Sequence, residues 1–183
     1  MGRDKADVEL GGVTLLERMI RRLGPRAAGI LVGTRRDGPG WLPHVTVVPD
    51  PDPGGGPLQS MCAMLRHCGT NLLVVPVDMP FLPAGLLEQL CEGAPAASAV
   101  GVAGENGAEP LPVLLRPSAI APLEDLMRSG ERRAGAWRSI AGAVVLNTET
   151  LGWTHPSPWH LMGVNTPADL ALAVQRLAIF REV

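Results

Sequence analysis

The sequence predicts an α/β fold: a mainly parallel sheet with helices on both faces, in three layers. Three observations in the 183 residues predict it. Short apolar runs alternate with helical patterns along the chain, which is the order that builds parallel sheets. The runs are nearly continuous in apolar residues, as strands buried on both faces are. The 22 Gly and 18 Pro punctuate the chain between these runs, so it is globular and loop-rich, at 46% apolar content.

In chain order, TLLERMIRRL (14–23) sets Leu15, Leu16, Met19, Ile20 and Leu23 at helical spacing, with Arg and Glu opposite. GILVG (29–33) and VTVV (45–48) read as strands. PLQSMCAMLRHC (57–68) reads as a helix with proline in its first turn, directly after Gly54, Gly55 and Gly56. NLLVVPV (71–77) is a strand and AGLLEQLCEG (84–93) a helix. ASAVGVAG and LPVLLR are weaker strand signals, followed by helices near 117–128 and 134–140. A strand at 143–147 and a helix from Pro167 to about Phe180 complete the pattern. No repeat, low-complexity tract or linker divides the chain, and 1–183 reads as one domain.

Composition narrows function. A net charge of −2 offers no basic surface for nucleic acid and no polybasic membrane anchor. No apolar run is long enough to cross a bilayer, and the charged start MGRDKADVEL is unlike a secretory signal, so a cytoplasmic location is expected. Cys62, Cys68 and Cys91 lack CxxC spacing, and the four His are scattered, so buried thiols are expected in place of a disulfide or zinc site. Of the sixteen basic residues only Lys5 is lysine. It marks either a site that needs a compact ammonium or a surface position without a role.

Two stretches carry chemistry. In LLVVPVDMPFLP (72–83), Asp78 arrives at the end of a buried strand and Pro80 forbids continuation. At the carboxyl end of a parallel strand, where ligands bind, a carboxylate can hold a hard cation such as Mg²⁺; alternatively it begins a turn. VVPDPDPGGGPL (47–58) repeats the arrangement, with Asp50 before a glycine-rich loop that opens a helix. Such a loop lets backbone N–H groups approach an anion, or is a plain turn. It lacks the GK[ST] ending of a Walker A loop. Two acids at strand ends, one beside such a loop, together favour a phosphate-and-metal site.

Several segments then resemble the molybdenum cofactor guanylyltransferases, the MobA-like nucleotidyltransferases. MGRDKADVELGGVTLLERMI resembles the second half of their signature LAGGxSxRMGxDKxxxxxxGxxLLE. VVPDPDPGGGPL resembles vxDxxxxxGPLxG, VVPVDMPFLP resembles vxxcDxPfl, EPLPVLLRP resembles QPLxxxY, and GVNTPADL (163–170) resembles NxNTPeDL. These occur in the expected order over nearly the whole chain.

The resemblance implies a Rossmann-like nucleotidyltransferase domain that moves GMP from GTP to the phosphate of molybdopterin with Mg²⁺, releasing pyrophosphate. Proteins that deliver or receive the cofactor are implied as partners. By position, Asp78 matches the Mg²⁺-binding Asp, Lys5 the nucleotide-phosphate Lys, and Asp50 a GTP-binding Asp, with Gly56, Pro57 and Leu58 as the adjoining loop. Asn165 matches the second Asn of NxN, near metal and acceptor.

The departures are specific. The family's first strand and LAGGxSxR loop have no counterpart before Met1, which implies a true start upstream or a truncation, with unpaired sheet edges as the result. Gly163 stands in place of the first Asn of NxN, Thr34 near a nucleotide-contacting Asn, and Glu109 in place of Gln. A cytidylyltransferase or other nucleotidyltransferase with a different acceptor, and a non-catalytic remnant of the fold, are the alternatives. Trp137, Trp153 and Trp159 read as packing anchors sooner than pterin stackers, and Arg132-Arg133 as a solvated pair or an acceptor-phosphate contact.

Overall fold

The computed structural model describes residues 4–34, 45–49, 52, 54–153 and 157–177. Its elements are β1 (Glu9–Leu10), β2 (Val13–Thr14), α1 (Leu15–Leu23), β3 (Ile30–Thr34), β4 (Val45–Pro49), α2 (Gly56–Cys68), β5 (Leu72–Val74), α3 (Leu86–Gly93), β6 (Ala99–Gly104), β7 (Gly107–Leu115), α4 (Ile120–Arg128), β8 (Ala143–Asn147), α5 (Ser157–His160) and α6 (Pro167–Leu177).

The main sheet has the order β5-β7-β6-β8. β7 is antiparallel to β5 and β6, while β8 is parallel to β6, so β5, β6 and β8 share one direction and β7 alone opposes them. The sheet is therefore mixed, with its parallel members in the majority. β3 and β4 form a separate parallel pair, and β1 and β2 a short antiparallel hairpin.

Alternation along the strands builds the layers. Ala99, Val113 and Leu115 face α2 and α4 and bury Leu58, Met61, Cys62, Leu65, Leu123 and Trp137 against them. Val100, Val102 and Leu114 point the other way, onto Leu86 and Leu90 of α3, Met19 of α1, Leu82 and Trp153. Trp137 fills the space where a side chain at Gly101 would stand, 2.3 Å from an ideal Cβ there, and its Nε1–H donates to the Pro110 carbonyl at 2.9 Å. Trp137 is 0% exposed and Trp153 3%.

The predicted strand at 71–77 is shorter in the structure. Beyond Val74↔Val113 the register would set Val75 opposite Pro112 and Pro76 opposite Leu111, and proline has no N–H for a ladder. The chain leaves the sheet there. The helix expected at 134–140 is a 3-10 segment, Ala134–Ser139, and that near 117–128 is a 3-10 turn followed by α4. The strand at LPVLLR begins earlier, at Gly107. The last helix is described as far as Leu177; the expected end near Phe180 lies outside the described residues. Among the described residues β5 is hydrogen-bonded on its β7 side only, and Leu72, Leu73 and Val74 are half-buried while Val113, Leu114 and Leu115 are fully buried.

A third apolar cluster lies apart from the main sheet. Val8, Leu10, Leu15, Phe81, Val164, Ala173 and Leu177 pack together, with Val77, Met162 and Leu170 against them. The Gly11-Gly12 turn, with both φ positive at 63° and 76°, folds β1 back on β2 and brings Leu10 inward. The cluster joins residues near 8, 81, 164 and 177 without a continuous sheet. Burial of each such side chain stabilises by roughly 1.5–3 kcal/mol.

Candidate active site

Each residue of the central group stands within three positions of that third cluster. Lys5 lies in a 3-10 turn, Lys5–Asp7, three residues before buried Val8. Asp4 caps the turn by accepting from the Ala6 N–H at 3.1 Å. Asp78 lies three residues before Phe81, and Asn165 directly after Val164. Apolar packing below thus brings three polar side chains together above it.

The Lys5 ammonium donates to Asp78 Oδ2 at 2.6 Å and to Asn165 Oδ1. The partners come from positions 73 and 160 residues away along the chain. The Lys5 side chain is 43% exposed and that of Asp78 17%, so the pair opens to solvent on the ammonium side. An ammonium has three donors, and Asp78 and Asn165 take two of them.

Asn165 is held by its backbone. The Asp169 carboxylate accepts from the Asn165 N–H at 3.0 Å and the Thr166 N–H at 2.7 Å, while the Asp169 N–H donates to Thr166 Oγ1 at 3.1 Å. This is a capping box at the start of α6. The Asn165 N–H, and after it the Thr166 hydrogen bonds, hold the Asp169 carboxyl below the usual carboxylate range. The Val164 N–H donates to the Asp78 carbonyl at 2.8 Å, which fastens the two strips of chain to each other.

The glycine-rich loop has a more specific architecture than a flexible turn. Gly56 has φ 73°, and a Cβ there would meet the Arg132 carbonyl at 2.9 Å. That carbonyl accepts from the Leu58 N–H at 3.2 Å. One N–H of the α2 start is therefore already engaged by backbone, and the Leu58 side chain is core, at 0% exposure. The Arg132 segment is fixed in turn by Glu131. Its carboxylate takes the Arg133 guanidinium at 2.6 Å and the N–H groups of Arg133 and Arg132, which pulls it down to about 2. Arg133 is thus engaged locally, and the Arg132 guanidinium donates to the Met127 and Glu131 carbonyls, each at 2.8 Å.

The structure gathers Lys5, Asp78 and Asn165. Gly56 and exposed Pro57 stand at the opening of α2. Thr34 ends β3, and Asp50 lies outside the described residues. Glu109 is near the start of β7, beside the β6–β7 turn and at the end of the sheet toward which β5 runs, while Asp78 lies four residues beyond the end of β5. Among the described residues no hydrogen bond or ion pair joins Glu109 to Lys5, Asp78 or Asn165. Sequence reasoning missed Asp169 and Thr166, though the T-x-x-D spacing within NTPADL carried the signal. It also missed the β1–β2 turn, although Gly-Gly between EL and VT is a two-residue hairpin pattern.

Oxygens of Asp78 and Asn165 converge on one cation, the ammonium, and two such hard donors suit a hard divalent cation equally. Among the described residues no group of three or more His, Cys, Asp and Glu forms a metal cage. No helix among them is long and apolar enough to cross a membrane.

Comparison with known proteins decides the family. The profile of the MobA-like NTP transferase domain matches residues 1–145. The chain belongs to the MobA-like NTP transferase family. This MobA-like nucleotidyltransferase is 34% identical over 189 aligned residues to a protein named molybdenum cofactor guanylyltransferase from Sinorhizobium fredii, covering 97% of this chain and 86% of the relative. It is 31% identical over 192 residues to one of the same name from Rhizobium johnstonii, covering 99% and 88%. Its fold is similar to that of molybdopterin-guanine dinucleotide biosynthesis protein A from Archaeoglobus fulgidus, with TM-score 0.79, 23% identity and coverage of 97% and 92%. The same fold, at TM-score 0.67 and 20% identity, is found in 2-C-methyl-D-erythritol 4-phosphate cytidylyltransferase from Thermus thermophilus, covering 97% and 94%.

Proposed function

We propose that this MobA-like nucleotidyltransferase transfers GMP from GTP to the phosphate of molybdopterin, in the cytoplasm and with Mg²⁺, releasing pyrophosphate. The observation that carries the reading is the meeting of Lys5, Asp78 and Asn165 at one cation position, with Asp78 on the loop that follows β5. Relatives more than 30% identical and named for guanylyl transfer favour GTP over CTP.

The acceptor phosphate and the α-phosphate of GTP are both anionic and repel each other, so the protein's task is to hold them in line and offset their charge. Lys5, whose partly exposed ammonium has two of its three donors taken by Asp78 and Asn165, would hold a nucleotide phosphate oxygen. Asp78 and Asn165 are the residues that would hold Mg²⁺, with phosphate oxygens and water completing its shell. The bound metal would neutralise charge that develops on the phosphates. Gly56 and Pro57 would let the nucleotide lie close to the start of α2, and Asp50 and Thr34 are the further residues assigned to the nucleotide by their place in the sequence. Glu109, beside the same end of the sheet, faces the acceptor and disfavours an unneutralised phosphate there.

The test is pyrophosphate release from the full chain with molybdopterin, Mg²⁺ and either GTP or CTP. Release with GTP, lost when Mg²⁺ is chelated, is the expected result. Turnover with CTP alone rejects the guanylyl assignment, and turnover with neither rejects the reaction.

A further inference from the structure

The loop that carries Asp78 is poor in hydrogen bonds of its own. Pro76, Pro80 and Pro83 have no N–H to give. Between Pro76 and Leu82 its internal backbone bonds, from the Met79 N–H to the Pro76 carbonyl at 3.5 Å and from the Leu82 N–H to the Met79 carbonyl at 3.4 Å, are long. Only at the start of α3 does the Leu86 N–H reach the Pro83 carbonyl at 3.1 Å. Among the described residues three groups from elsewhere hold its backbone carbonyls instead. The Val164 N–H donates to the Asp78 carbonyl at 2.8 Å, His160 Nδ1 lies 2.9 Å from the Phe81 carbonyl, and Arg22 Nε donates to the Leu82 carbonyl.

We propose that His160 is a positioning residue for the cation site, fixing through the Phe81 carbonyl the loop that aims Asp78. The inference rests on the reading of Asp78 as the cation-binding carboxylate. A carbonyl only accepts, so Nδ1 carries the hydrogen. The ring is set by Trp153, edge to face at 5.4 Å and 62°, and the Trp153 Nε1–H is itself anchored to Gln89 Oε1 at 3.0 Å. Burial pushes the imidazole below its ordinary value; the Phe81 hydrogen bond opposes this and nearby Arg22 reinforces it, with a net lowering that favours the neutral ring at neutral pH. His160 also precedes Asn165 on the same strip of chain. The strip 160–165 and the loop 78–82 are joined at His160–Phe81 and again at Val164–Asp78, so loosening the first joint shifts both oxygens relative to each other. Partners that orient metal ligands from behind typically change metal affinity by about 10- to 100-fold.

The experiment measures binding of Mn²⁺ together with GTP by electron paramagnetic resonance, using the full chain, His160→Ala, His160→Asn and Asp78→Asn, with thermal unfolding of each. His160→Ala is expected to weaken Mn²⁺ binding about tenfold. His160→Asn, whose amide can place an N–H where Nδ1 stood, is expected to recover most of it while unfolding at the same midpoint as His160→Ala. Unchanged binding in His160→Ala overturns the proposal. So does equal loss in both variants that follows their unfolding midpoints, because His160 would then be only structural. Failure of the underlying reading shows separately, as normal Mn²⁺ binding in Asp78→Asn.

Discussion

Two apolar clusters of this molecule are built in opposite ways. The one between the sheet and α2 and α4 is drawn from regular elements: Ala99, Val113 and Leu115 on strands, Leu58, Met61, Leu65 and Leu123 on helices. The one beneath Lys5, Asp78 and Asn165 takes Val8, Leu10, Phe81, Val164 and Leu177 from turns, a two-residue strand and helix ends. The first gives the protein its layers. The second gives it a floor on which polar groups from three distant stretches can meet, since Val8, Phe81 and Val164 each stand close in sequence to one of them. Position of the site therefore depends on packing more than on any ladder of backbone bonds.

The strongest way to break this comparison is to remove the chemistry and keep the floor. Asp78→Asn is expected to lower Mg²⁺-dependent turnover by about 10³-fold, on the scale of losing one strong electrostatic contact to a transition state, with circular dichroism and unfolding midpoint close to the parent. Normal turnover would remove Asp78 from the metal site.

A matched pair of core truncations separates the two clusters. Leu10→Ala and Leu123→Ala, both at fully buried positions, should each cost about 3 kcal/mol in denaturant unfolding. At a temperature where both remain folded, Leu10→Ala should also raise the Mg²⁺ needed for half-maximal turnover, and Leu123→Ala should not. Equal effects on the metal requirement would erase the distinction between the clusters.

Lys5→Arg keeps the charge and changes its shape. A planar fork does not reproduce a point ammonium shared by a carboxylate and an amide oxygen, and GTP affinity is expected to fall by about tenfold, or about 1.4 kcal/mol. Unchanged affinity in a calorimetric titration would return Lys5 to the surface.

The smallest effect is a pH slope. The folded His160 titrates below 6.5, so the unfolded chain binds more protons as pH falls through that value. Stability from the neutral ring is complete above pH 6.5 and is lost on going down toward the folded value. Asp169, depressed below 3.8, adds stability above that value that disappears as pH falls further. Unfolding midpoints measured downward from about pH 7.5 should decline first below pH 6.5 and again in the carboxylate range, where Glu131 and Asp169 both lose their contributions, and His160→Asn should remove the first decline.

The regular half of the molecule could be read from residue patterns because periodicity and strand alternation are local properties. The helix of 14–23 and the strand of 143–147 appear within a residue of expectation. Asp78, which the structure sets beside Lys5, stands out because a carboxylate after an apolar run contradicts its surroundings. The end of β5 at Val74 is legible only in part: Pro76 announces a break within the run, but the exact stop depends also on Pro112, in a strand nearly forty residues later, falling opposite the next position in register. The engagement of the Leu58 N–H by Arg132 could not be read at all, being a contact made by a backbone carbonyl that no residue identity announces.

The floor of the site has a consequence for how the protein is made. A side chain at Gly11 would come within 2.4 Å of Leu177, and Leu10 shares a cluster with Ala173 and Leu177. As the ribosome extends the polypeptide, the four strands of the main sheet and α2 and α4 are all present once β8 emerges, whereas the cluster beneath Lys5 is completed only when Val164, Ala173 and Leu177 follow. Completion of the floor beneath Lys5, Asp78 and Asn165 is thus a late event in the life of each newly synthesised molecule, and nascent chains arrested before α6 would lack Ala173 and Leu177 from that cluster.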